Sequence, residues 1–100
     1  MPENPLSTMN KIDPDFMGTL RKMDEMVFSD GALPRKIKLL IAMAFDAADG
    51  ADTGVKALAQ AALKAGATRE EIAEAIRVAY HLSGVGSVYT ASDGLKELFP

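Results

Sequence analysis

The chain has one histidine, His81, and imidazole is the side chain whose ordinary pKa lies nearest neutrality. With Tyr80 and Ser83 beside it, His81 could act as a general base toward a hydroxyl or a bound substrate. In the last turn of a helix the same ring would instead serve as a cation at the negative end of the helix dipole. A Ser83, His81, Asp93 triad can be written down, but nothing around Ser83 resembles a strained nucleophile turn. Asp46 is the second candidate: it is the acid inside the apolar run Ile37 to Ala48, and a carboxylate among apolar side chains needs a partner or a proton. Asp46, Tyr80 and His81 are therefore the residues from which acid–base chemistry on a small carbonyl or carboxylic acid substrate would be built. Glu70, Glu71 and Glu74 are more closely clustered, but they stand at a helix start beside Arg69 and Arg77, where capping and dipole roles account for them.

Missing residue types narrow the chemistry further. With no cysteine there are no disulfides, no iron–sulfur ligation, no thiolate metal site and no thiol mechanism. One histidine excludes the two-histidine metal motifs, so neither a metal nor a cofactor is expected. Gly84-Val85-Gly86-Ser87 looks briefly like a phosphate loop, but it lacks the lysine and the preceding strand and reads as a helix joint. A net charge of −3 and a pI near 5.0, without a basic cluster, argue against nucleic acid and anionic membrane surfaces. The Ile37 to Ala48 run is shorter than the about 20 residues of a bilayer span, and residues 1–5 show neither a basic nor an apolar leader segment. A cytoplasmic location is the expectation.

One hundred residues suit one domain. Residues 1–12, with two prolines, two asparagines and little periodicity, read as a flexible tail or a strap, and residues 13–100 as a single helical domain. Asp13-Pro14 starts a helix that carries Phe16, Leu20, Met23 and Val27 at helical spacing as far as about Ser29. A second helix, about Pro34 to Ala48, is apolar nearly all round, which places it in the middle of its assembly. A third runs from about Asp52 to Ala65 and stops at Gly66. Thr68-Arg69-Glu70-Glu71 is a capping box that opens a fourth helix, with Ile72, Ala75, Ile76, Ala79 and Leu82 read as inward, ending at Ser83-Gly84. A fifth spans about Val85 to Leu98, with Gly94 as a weak point. Met17, Met23 and Met26 suggest a contact surface. No alternating strand pattern appears, so the fold class is all-α.

Residues 33–85 resemble the carboxymuconolactone decarboxylase and alkylhydroperoxidase D-like family. The strongest match is AALKAGATREEIAEAI, Ala61 to Ile76, with LPRK upstream at Leu33 to Lys36 and an A-Y-x-x-x-G segment at Ala79 to Gly84. The resemblance implies an alkylhydroperoxidase D-like bundle of about five helices, assembled as a homo-oligomer, a trimer or a hexamer. It also implies where chemistry would lie. In members with peroxidase activity a C-x-x-C and a histidine four residues later occupy positions that correspond here to Ala51, Gly54 and Leu58, one side of a helix. A glutamate that some members carry on the preceding helix corresponds to Leu39, and the histidine of the decarboxylase pattern H-V-x-x-A-x-x-x-G also falls on Leu58.

Every one of these positions is apolar or lacks a side chain. The resemblance, so altered, leads to the expectation of a member without the thiol peroxidase site. It would be a non-catalytic, ligand-binding or accessory subunit, with a catalytic paralogue as a possible partner. The competing expectation is a cysteine-free enzyme using Asp46, Tyr80 or His81 in the same cavity. The apolar stripe of Phe16, Leu20, Met23 and Val27, which a chain this small has little means to bury, independently argues for assembly.

Overall fold

A computed structural model describes residues 6–100, in which six helices and no strand are present. They are α1 (Ser7–Ile12), α2 (Pro14–Val27), α3 (Arg35–Ala48), α4 (Asp52–Lys64), α5 (Arg69–Ser83) and α6 (Gly86–Leu95). The all-α class is as expected. The sixth helix, α1, comes from the stretch read as a tail or strap, while Met1 to Pro5 lie outside the described residues. None of the helices is long and apolar enough to cross a membrane.

Local chemistry sets the boundaries. Asp13 Oδ1 accepts the amide of Phe16, and Pro14 occupies the first turn, where its missing N–H costs nothing. The α3–α4 and α4–α5 corners share one device. After α3, the amide of Gly50 donates to Ala47 and that of Ala51 to Asp46; after α4, Gly66 donates to Leu63 and Ala67 to Ala62. These paired bonds are Schellman turns, and they need a residue with φ in the left-handed region, supplied by Gly50 (φ +80°) and Gly66 (φ +101°). The capping box closes in both directions, Glu71 N–H to Thr68 Oγ1 at 3.1 Å and Thr68 N–H to Glu71 Oε1 at 2.8 Å. The last helix ends earlier than the apolar spacing suggests, at Leu95, with a turn through Phe99.

Helices α3 to α6 form the body. Helix α3 packs on α4, α5 and α6, and α6 also lies against α4 and α5. Met43 and Ala47 of α3, Val55, Ala59 and Ala62 of α4, and Ile72 of α5 form the dry centre. The alanines let the axes of α3 and α4 approach closely. Gly94 belongs to the same close packing, since a β-carbon there would meet the Asp52 carbonyl oxygen at 2.6 Å and Val55 Cβ at 2.9 Å. The glycine read as a weak point is thus where α6 seats on the start of α4.

Two expectations about burial need correction. Leu82, read as inward, is 80% exposed, because its face of α5 has no neighbouring helix to cover it. Helix α3 is central on one side only; Ile41 and Phe45 stand out on the other. Helix α2 packs on α1, where Met17 is buried, and makes little contact with the body. Its stripe residues Phe16, Met23 and Val27 stay about half exposed. The radius of gyration, 14.1 Å, exceeds the about 13 Å of a compact chain of this length, as an outlying α1–α2 arm requires.

Candidate functional site

The Schellman turn after α3 sets the site's geometry. By tying the Ala51 amide to the Asp46 carbonyl, it folds the end of α3 over the first turn of α4. Ala51 caps α4, Gly54 lies in its first turn and Leu58 follows one turn later, so these three positions run along one side of the helix. Leu58 is half-buried against the core, and Leu39 is buried within it. Over Gly54 lies the side chain of Asp46: a β-carbon built on Gly54 would fall 2.0 Å from Asp46 Oδ2.

Asp46 is half-buried, and its side chain makes no hydrogen bond to another described group. Burial, reinforced by the Asp49 carboxylate, pushes its pKa above the ordinary aspartate value. It is therefore a carboxylate under mild electrostatic stress, with the like-charged Asp49 as its titratable neighbour. Tyr80 and His81 are not brought to it. Both are exposed on α5, His81 in the last turn of that helix. Ser83 donates to the Ala79 carbonyl at 2.6 Å, so its hydroxyl is occupied by its own helix and the triad is not assembled.

A larger feature escaped the reading of the residues. Between α3 and α5 runs an apolar groove of about 360 Å³, lined by Ile37, Leu40, Ile41, Ala44, Phe45 and Ala48 on one side and Ala75, Val78, Ala79, Leu82 and Ser83 on the other. Among the described residues, Ser83 is its single polar lining residue. The signal was present in the sequence: a helix apolar all round leaves one face bare where its neighbours do not surround it, and among the described residues α3 packs chiefly on α4, α5 and α6.

A second, polar cleft of about 260 Å³ lies between the start of α4 and the end of α6. Its charges are paired, Lys96 with Asp93 at 2.9 Å and Lys56 with Glu97, and exposed pairs of this kind contribute little beyond local order. Among the described residues no group of three or more His, Cys, Asp or Glu is arranged to hold a metal ion.

Residues 14–97 match the carboxymuconolactone decarboxylase family. Among solved structures the fold is similar to that of an apo carboxymuconolactone decarboxylase family protein from Legionella pneumophila. The TM-score is 0.83 and the identity 32%, over 91% of this chain and 81% of that one. No curated protein matches.

Proposed function

Because the chain belongs to the carboxymuconolactone decarboxylase family, we propose that it works without thiol chemistry, as a non-catalytic, ligand-binding or accessory member. One observation carries the reading. The side of α4 formed by Ala51, Gly54 and Leu58, with Leu39 in the core behind it, presents no nucleophile, and the space over Gly54 is filled by the Asp46 carboxylate. A thiolate mechanism needs a sulfur and a base that shares its proton, and the sequence contains no cysteine at all. The groove offers no substitute machinery, since general acid–base catalysis needs a titratable group within hydrogen-bond reach of the substrate and its walls carry none.

A hydroperoxide-consumption assay with a dithiol reductant, run beside decarboxylation of a carboxylated lactone, tests this reading. The expected result is no turnover above the protein-free control. Turnover of either substrate by this chain alone would overturn it. An accessory role further predicts that affinity purification from the native cell brings down a cysteine-bearing relative.

A further inference from the structure

Methionine is concentrated at one end of the chain. Met1, Met9, Met17, Met23 and Met26 all precede α3, and the sixth methionine, Met43, lies in the dry centre of the body. Met9, Met23 and Met26 are exposed, whereas Met17 is only 4% exposed and is the one buried residue among those described in α1 and α2. The contact between these two helices therefore rests on a single thioether, with the Arg21 guanidinium donating to Asn10 Oδ1 at 3.0 Å as a second tie. Met17 also sits about a quarter-turn round α2 from Phe16, Leu20, Met23 and Val27, so the α1 contact and the apolar stripe are separate faces of one helix. We propose that Met17 is an oxidation site, at which a hydroperoxide converts the thioether to the sulfoxide and thereby releases the α1–α2 arm.

The step balances without any group beyond the hydroperoxide. The Met17 sulfur attacks the terminal peroxide oxygen, the O–O bond breaks and an S–O bond forms; sulfur gives up two electrons, and the other oxygen leaves as an alcohol, or as water, carrying the proton of the oxygen that was transferred. A thioether asks for no hydrogen bond, but a sulfoxide oxygen is a strong acceptor, and in a contact between two helices it reaches water only if they part. Exposure alone does not single out Met17, since Met9, Met23 and Met26 meet oxidant sooner, yet their oxygens project into water and disturb no contact. Met43 has the same chemistry and the opposite placement: it is fully buried in the α3–α6 body and is reached only when that body unfolds. Met17 lies outside that core and is reached by local opening of the arm, after which its oxygen opposes closure. Release dissolves the stripe that α2 presents and leaves the body intact.

The absence of cysteine makes the test clean, because no thiol competes for the oxidant. The full chain is treated with graded hydrogen peroxide, quenched, mapped by peptide mass spectrometry and exposed briefly to trypsin, whose sites in the arm are Lys11, Arg21 and Lys22, all on the surface. Met17 is expected to convert after Met9, Met23 and Met26 and well before Met43. Its conversion should speed cleavage within the arm about tenfold or more while circular dichroism keeps the helical signal of the body. Methionine sulfoxide reductases, one for each sulfoxide epimer, should restore slow cleavage. Met17→Leu, close to it in volume, should oxidise at the three exposed methionines and keep a resistant arm, and Met17→Gln, polar without any oxidant, should open the arm from the start. Peroxide uptake ends at one oxygen per thioether, which separates this reaction from catalytic turnover. Four results would overturn the proposal: Met17 converting together with Met43, Met17 staying a thioether once the exposed methionines are fully oxidised, equal acceleration of cleavage in Met17→Leu, and a resistant arm in Met17→Gln.

Discussion

The carboxylate of Asp46 occupies the space that a β-carbon on Gly54 would take, with Oδ2 at 2.0 Å and Cγ at 2.8 Å from that point. A side chain at position 54 and the present placement of Asp46 are mutually exclusive. The acid read from the sequence as a possible catalyst is, in the folded chain, the group that excludes a side chain from the site.

The two residues are therefore thermodynamically coupled. Alanine is favoured over glycine inside a helix by about 1 kcal/mol, whereas overpacking costs about 1 to 3 kcal/mol. Because Asp46 Cβ lies 3.5 Å away, at ordinary contact distance, the carboxylate can swing aside, which puts the cost at the low end. Gly54→Ala is expected to leave stability unchanged or lower it by about 1 kcal/mol, and the same substitution in an Asp46→Ala background to raise it by about 1 kcal/mol. Urea unfolding of the four proteins of this cycle reads the sign reversal.

Gly94 gives the opposite case. There the obstructing atoms are the Asp52 backbone oxygen and Val55 Cβ, neither of which can rotate away. Gly94→Ala is expected to cost about 2 kcal/mol or more despite its gain in helix propensity, since α6 must lift from α4. Comparing its denaturation midpoint with that of Gly54→Ala checks the distinction.

The pH dependence of Asp46 has a definite sign. Its folded pKa is raised by burial and by Asp49, so the protonated form suits the fold. Its contribution to stability is complete below the ordinary aspartate pKa and is lost as pH rises through the raised value. Asp46→Asn should therefore melt higher than wild type at pH 7, and the difference should vanish near pH 3. Thermal melts across that range measure it.

Glu71 runs the other way. The Thr68 amide and the Lys36 ammonium lower its pKa, so its contribution is present above the ordinary glutamate pKa and lost as pH falls through the lowered one. The gap in melting temperature between wild type and Glu71→Gln should close in acid. Thr68→Ala, which removes the other half of the capping box, is expected to cost about 1 kcal/mol, or about 4 to 8 °C in midpoint.

The elements legible in the sequence were those fixed by neighbours along the chain. The Thr68–Glu71 box, the Asp13 cap and the glycines at 50 and 66 each act within a few residues, and the helix boundaries they set agree with the structure to a residue or two. Facts that depend on a second helix were not legible. Periodicity put Leu82 on an apolar face of α5 but could not say whether a helix covers that face. Gly94 looked like a defect because the chain that needs its hydrogen, α4, is some forty residues distant. Asp46 was singled out as an acid among apolar residues, yet its relation to Gly54 required the turn at Gly50 to be known in three dimensions.

The position of α2 has one further consequence. A helix that packs chiefly on a single small companion helix is a cooperative unit of its own, with a local unfolding free energy well below that of the four-helix body. On heating, α1 and α2 would fray first while the four-helix body stays folded. A calorimeter would then record two events where a two-state protein of this size gives one.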